Sequence, residues 1–548
     1  MKLKTKKILT GATLLLSLLS SMNAANVSWT TDIASNTTWV SSNEYILDKT
    51  TGDGVIRVLP GATLTIQAGT IIRGQPKNGV NPAGSLAVLR GGAIIANGTS
   101  SNPIVFTTAA LEPAVPTGLP DGFVRTGTPG ASGASVEATR WTSVTSLAFW
   151  DSAPKATPKP PTVTGLWGGV IVLGKAPVNF ANLADELNSP PLEIVQNGNP
   201  ATPYEYTKPV VEGLTSPEYA YGSDWGPSET LPTGTTGSYV KRNYVDVDDN
   251  SGQLTYLSIR HGGAQLSVDN EINGLTLAGI GRGTLINHIE VWGNEDDGIE
   301  VFGGTVNMSH LAIFSTKDDG LDIDHGYSGQ IQFALVVGGS YAEKLLEWDG
   351  DDADEGGANK GAKANFEPRG NWEARNVTLI GLPTQNPSSS AGDGANIRRN
   401  ASSKLYNVVI ANILSTRKPI NAQTTFWNVI RNYTYNSGAG ANTFSGATIE
   451  SDGDGFATTA QLFGTINSAS TSYSGDTAGL VYLAPSGLTP GLNPTPASAF
   501  GDVIIAEPIP VGNQTFFQSA AYRGAFDPIT PNIWTTGWTA ASASNAVN

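Results

Sequence analysis

The densest chemistry in this 548-residue chain lies in two matching segments, NEDDG ending at Gly298 and KDDG ending at Gly320. Asp296, Asp297 and Glu300 of the first recur as Asp318, Asp319 and Asp322 of the second, at an offset of 22 residues. If the segments are successive turns of a coil, Asp297 lies one coil below Asp319 and Glu300 one coil below Asp322. At about 4.8 Å and an effective dielectric near ~20, each stacked pair of charges costs about 3 kcal/mol before relaxation. A hard cation such as Ca²⁺ offsets that repulsion, because it gathers carboxylate and backbone oxygens from more than one strand. Asp296, Asp297, Asp318 and Asp319 are therefore candidate calcium ligands. The plainer alternative is that each Asp accepts turn hydrogen bonds before its glycine and points its charge into water.

The same acids are the candidates for catalysis. Asp297, Asp318, Asp319 and Asp322 are placed to supply the two carboxyl groups of a glycoside hydrolase. β-Elimination needs calcium and an arginine base, and Arg260, Arg375, Arg398 and Arg399 are available. Surface or turn positions suit most of these arginines better, since a guanidinium holds its proton. A second acidic run, Asp349, Asp351, Asp352, Asp354 and Glu355, has the oxygen density for calcium without the EF-hand spacing, and fits a solvated loop. His288 and His310 share the 22-residue offset, but a pair is not a full ligand set for a transition metal, and a polar ladder explains it better. His261 and His325 are the remaining histidines. Trp150, Trp167, Tyr204, Tyr206, Tyr221 and Trp225 offer flat rings for sugars or partner proteins, with loop anchoring as the default.

The elements that position these residues follow from the repeat. At the 22-residue offset, Leu64, Ile66, Gly69 and Ile72 meet Leu86, Val88, Gly91 and Ile94, and the stretch 288–301 meets 310–323 almost residue for residue. A third copy starts at Phe333 and Leu335, then slips by about three, so that Leu346 and Glu347 follow Leu321 and Asp322. Apolar residues alternate within each unit, as in Ile289 and Val291, which makes each segment a short strand with one inward face. Such a unit cannot bury its own apolar side, and stacking the units does. The expected fold is all-β: a parallel β-helix of about 22-residue coils. Residues 109–165, 180–244 and 349–370 break the pattern as loop insertions, and the chain becomes less regular from about 436.

Composition agrees. Charged residues are 14% and Gly numbers 64, which suits tight turns better than long helices, and with Cys 0 the fold relies on its core, its ladders or a metal. A net charge of −15 disfavours nucleic acid and anionic membranes. Lys2, Lys4, Lys6 and Lys7 precede an apolar run from Ile8 to Leu19 and small or polar residues through Ala25. Residues 1–25 therefore read as a Sec signal peptide, with 26–548 as one β-helix domain exported to the periplasm, outer surface or medium. No later segment approaches the apolar length that spans a bilayer.

The chain resembles a family of secreted bacterial proteins with a pectate-lyase-like, right-handed parallel β-helix. The landmarks are LTIQAGTIIRG from Leu64, LAVLRGGAIIANGTSSNPIVFT from Leu86, WGGVIVLGKAPVN from Trp167, LTYLSIRHGGA from Leu254 and EDDGIEVFGGTVNMSHLAIFSTKDDGLDIDHGYSG from Glu295. YRGAF and WTTGWT near Tyr522 and Trp538 close the set. The resemblance implies the fold and export, and brings no fixed catalytic residues. His325-Gly326 follows Asp319 too closely for the polygalacturonase arrangement. The expectation is a secreted or cell-surface protein with a structural, adhesive or glycan-binding role, stabilised by calcium, whose partners are polysaccharides or cell-surface components. The alternative is a polysaccharide lyase or glycoside hydrolase using the stacked Asp residues.

Overall fold

The computed structural model describes residues 24–112, 138–179, 209–265, 271–350, 370–381, 393–456 and 516–544, apart from short gaps within these ranges, and the strand Ile194–Val195. Residues 1–23 of the expected signal peptide, Tyr204, Tyr206 and the acidic residues from Asp351 to Glu355 lie outside the described residues.

The strands wind into a right-handed parallel β-helix with three faces. The first face stacks Ser85–Val88, Val170–Leu173, Leu275–Ala278, Ile299–Phe302, Leu321–Asp324, Lys344–Asp349 and Asp393–Arg398, each parallel to the next. The second and third faces are the two arms of long bent strands: Gly252–Gly262, Leu285–Asn294, Asn307–Thr316, Gln330–Val337, Asn371–Ile380 and Ser402–Ala411. Nearer the N-terminus the same arms are separate strands, Thr63–Ile66 and Ala93–Asn97 on the second face, Ile71–Gly74 and Ile104–Thr108 on the third.

Alternation along each strand sends one set of side chains inward. On the first face Leu86, Val170, Leu275, Ile299, Leu321 and Leu346 form one inward column, and all are buried. Like residues stack on like because the strands of this column are parallel and in register.

The bend between the second and third faces is made by one left-handed residue per coil. Tyr256, His288, His310, Phe333, Asn376 and Asn407 have φ between 52° and 61°. Each falls in a gap in its strand's pairing register. A non-glycine residue at positive φ is costly alone, and it recurs here because the stacked coils hold it on both sides.

The 22-residue coil holds only in part. Ile289 stacks under Leu311 and Ile299 under Leu321 at that offset. The N-terminal alignment is corrected: Leu64 lies under Ile94 and Ile56 under Leu86, an offset of 30 residues. The shorter offset matches a second-face strand to a first-face strand, since both carry the same inward alternation. In the third copy Leu311 meets Ala334, so Phe333 is a corner residue above His310. Leu346 and Glu347 do follow Leu321 and Asp322.

The third face is covered on its outer side. Residues from the 138–165 region pack on its N-terminal coils, where Arg140 donates to Pro76 O at 2.6 Å and Pro82 O at 2.9 Å. Residues 516–544 run along its C-terminal coils as a strap, burying Trp292, Phe314, Leu335, Val337 and Ile380 against Phe526 and Ala540. Among the described residues the last strand is Thr443–Phe456, and 516–544 form a lateral cover. Residues 209–223 pack on the lower part of the first face, through Val211, Leu214, Tyr219 and Tyr221.

Candidate functional site

The first face carries its acids in outward positions. Its central outward column runs Thr276, Glu300, Asp322, Glu347, Asn396, Asn421. At the corner before each strand stands a second column, Asn273, Asp297, Asp319, Lys344. It is tied along the axis: Asn273 Oδ1 accepts the N–H of Asp297 at 3.2 Å, Asp297 Oδ1 that of Asp319 at 2.8 Å, and Asp319 Oδ1 that of Lys344 at 2.7 Å. Asp393 repeats the contact with the N–H of Lys418 at 2.9 Å. One oxygen of each corner carboxylate thus fixes the register of the next coil.

The glycine after each Asp pair has a different cause from the expected turn. A Cβ at Gly298 would collide with Ile313 and Gly320 O, and one at Gly320 with Val336 and Leu345 O. Neither glycine has a left-handed φ. The DDG motif is therefore a close-approach motif, in which the glycine lets the corner sink against the core of the neighbouring coil.

The expectation that these acids point into water is corrected. Exposure is 7% at Asp297, 4% at Glu300, 2% at Asp319 and 9% at Asp322. Carboxylates that turn along the axis to reach the next coil's N–H are covered by that coil. Burial pushes Asp297, Asp319 and Asp322 well above the usual carboxylate range. Neighbouring acids push the same way: Asp296, Asp322 and Glu300 on Asp297, and Glu347 and Asp349 on Asp322.

Cations compensate one end. Lys344 Nζ lies 2.7 Å from Glu343, 3.1 Å from Glu347 and 3.6 Å from Asp319. Arg398 reaches Glu347 at 2.7 Å and Asp349 at 2.8 Å, and Arg399 also pairs with Asp349. Asp349 is therefore the end of a buried strand, not the start of a solvated loop. Burial first, then Glu347, raises it to about 7, with Arg398 and Arg399 pulling back. At the other end Asn273 stands beside Glu300 and the charges acting on Asp297 are acids, while Lys344 and Arg398 still pull on Asp322.

Carboxylate oxygens converge within 4.8 Å in four overlapping triads: Asp296, Asp297 and Asp318; Asp297, Glu300 and Asp322; Asp318, Asp319 and Glu343; Asp319, Asp322 and Glu347. Of the four residues expected as ligands, Asp296, Asp297 and Asp318 share a triad and Asp319 joins the last two. Glu343 and Glu347 complete triads that the ligand set read from the sequence left out. Glu347 was legible as the stacking partner of Asp322, whereas Glu343 lies in the slipped part of the third copy.

Arg399 is the turn residue expected, at φ 49°, whereas the other three arginines lie in strands. Arg260 is fully buried under the third face, between the fields of Asp151 and Glu290. Arg375 is paired with Glu373 and lies over Phe517. Arg398, beside the acids, is held protonated by Asp349 and Glu347, which push its pKa up against burial, so it is a poor base for elimination.

His288 and His310 stack face to face, 4.2 Å apart and 6° from parallel, between Tyr256 and Phe333. Trp534 of the strap meets both rings edge-on. Burial lowers His288 to about 3 and His310 to about 4, so both are neutral. Parallel rings send their lone pairs side by side rather than to one point, and the pair is a packing ladder. Trp150, Trp167 and Tyr221 are likewise buried, which removes them from sugar stacking, and Tyr221 bonds His325 Nδ1 at 2.7 Å.

The model of the pectate-lyase-like β-helix domain matches residues 31–124 and 240–480. No curated protein and no solved structure matches the chain. The matched residues carry all four acid triads and the coil strands named above except Val170–Leu173, and leave out the 138–165 cover and the 516–544 strap. The chain belongs to the pectate-lyase-like β-helix family.

Proposed function

We propose that this is a secreted or cell-surface β-helix with a structural, adhesive or glycan-binding role, whose acidic first face is completed by calcium. The observation that carries the reading is the convergence of buried Asp297, Glu300 and Asp322 within 4.8 Å. Three buried carboxyls that close hold protons or a cation. In an extracellular setting rich in calcium the cation is the better partner, and carboxylate oxygens are its preferred ligands. Export rests on the Sec-type start of the chain.

A second reading, a polysaccharide lyase or hydrolase, draws on the same raised carboxyls, since a carboxyl whose pKa is raised by burial is the kind that serves as a general acid. Their burial weighs against it, because a glycan must touch the oxygens that act on it. Triads within 4.8 Å are tighter than the roughly 6.5–9.5 Å that an inverting hydrolase leaves for its water, although they approach the roughly 5–5.5 Å of a retaining one.

The test is thermal unfolding of the purified protein in chelator and after calcium is restored. Calcium at about 100 times its Kd should add about 2.7 kcal/mol of stability. Superimposable curves would remove the calcium reading. Release of unsaturated or reducing ends from polysaccharides, lost in Asp322→Asn, would favour the enzyme.

A further inference from the structure

Of the three faces, the third is covered along its length and the lower first face is packed under residues 209–223. The second face differs. Among the described residues its central outward column, Thr38, Thr65, Ile95, Gln253, Leu285 and Asn307, stands open at its middle. Ile95 is 36% exposed and Leu285 44%, two of the few large apolar side chains that face outward. They sit on either side of Gln253, itself exposed.

This surface is uncharged on a chain of net charge −15. The central column carries no ionisable side chain from Thr38 to Asn307, and its neighbour carries none from Asn97 through Thr255 to Asn287. The surface is also stiff. Asn97 Nδ2 donates to Gln253 Oε1 at 2.7 Å and Thr255 Oγ1 to Asn97 Oδ1 at 3.3 Å, so amide and hydroxyl groups are cross-linked between coils.

We propose that the second face is a docking surface for a neutral polysaccharide lying flat against the coils. It deepens the glycan-binding role proposed above and rests on it. A pyranose presents C–H groups on its faces and hydroxyls around its rim. Ile95 and Leu285 supply apolar contact, and Gln253, Asn97 and Thr255 supply donors and acceptors beside it. Two coils separate the apolar residues, about 9.6 Å at ~4.8 Å per coil, which is roughly the length of a disaccharide. An anionic polymer finds no cation in these two columns, the exposed Arg282 at the corner before Leu285 is already paired with Asp248 at 3.2 Å, and acids elsewhere on the chain repel it. Parallel packing of rigid, flat partners loses little conformational freedom on contact.

The experiment is cosedimentation of the full chain with microcrystalline cellulose and with chitin, in calcium and in chelator. The wild type should sediment with at least one of them. Leu285→Asp and Gln253→Lys, each placing a charge on an exposed position, should lower the bound fraction about tenfold. Val144→Asp, at an 89% exposed position away from this face, should bind like the wild type. Failure of the wild type to sediment with either polysaccharide overturns the proposal, as does equal retention of both second-face variants. Sedimentation without any glycan that the same variants abolish makes the occupant a second copy of the chain, and also overturns it. A chelator-insensitive melting curve removes the calcium reading and leaves this proposal standing, so the two fail separately.

Discussion

The carboxylate of Asp297 accepts the backbone N–H of Asp319, one coil above it, at 2.8 Å. The acid proposed as a calcium ligand is therefore also a rung of the fold, and one oxygen of each corner Asp is committed before any ligand arrives. Substitution separates the two roles. Asp297→Asn keeps an acceptor and loses the charge, as Asn273 already does one coil below. Without calcium it should melt at or above the wild type, and calcium should stabilise it less. Asp297→Ala leaves the buried N–H of Asp319 unmet and should cost about 1–3 kcal/mol in chemical denaturation, with or without calcium.

The acid cluster sets a pH dependence of definite sign. Asp297, Asp319 and Asp322 have folded pKa values above their unfolded ones, and Asp349 lies at about 7. Such groups bind protons more tightly in the folded state, so their contribution is present at low pH and is lost as pH rises from about 4 through the folded values. In chelator, Glu300→Gln/Asp322→Asn should flatten the fall of the melting temperature as pH rises above about 4. In saturating calcium the wild-type slope should shrink, and calcium affinity should rise with pH as its ligands lose protons. An identical slope in chelator and calcium would contradict this.

The histidine ladder acts in the opposite direction. His288 and His310 are neutral in the fold, at about 3 and about 4, and the unfolded chain protonates them near 6.5. Their contribution is present above about pH 6.5 and is lost as pH falls toward 4. His310→Phe keeps a ring between His288 and Phe333 and removes the titration. Its melting temperature relative to the wild type should rise between about pH 6 and 4, and a constant difference over that range would count against the ladder as an acid-sensitive element.

Glu290 holds the strap to the coils. Its two oxygens accept the N–H groups of Ala540 at 2.7 Å and Ala541 at 2.9 Å, and Ser258 donates to it from the coil below. Glu290→Ala should cost about 2–3 kcal/mol and speed hydrogen exchange at 533–544 before the coils exchange. Deleting 516–548 should expose the Trp292, Phe314 and Leu335 surface, and the shortened chain should aggregate or bind a hydrophobic dye. Unchanged exchange in Glu290→Ala would mean that apolar packing alone seats the strap.

The coils around Asp297 and Asp319 were legible because two consecutive turns there have equal length, so stacking partners also align in sequence. Leu64 and Leu86 misled for the same physical reason: every strand of a β-helix repeats one inward alternation, whichever face it belongs to. Burial of the acids was hidden, because it depends on the corner turning carboxylates along the axis toward the next coil. The bend at His288 and Phe333 was hidden too, since nothing in a His or Phe announces a left-handed φ. The strap joins residues more than 200 apart, as Ala540 to Glu290, and no local pattern carries such a contact.

The most direct test of the cation-completed acid face is a calorimetric titration of chelator-stripped protein with calcium chloride, beside Glu300→Gln/Asp322→Asn. Saturable binding by the wild type, lost or weakened at least about tenfold in the double variant, is the predicted result, a loss of about 1.4 kcal/mol or more. No binding heat from the wild type at several temperatures, with a melting temperature that calcium leaves unmoved, would contradict it.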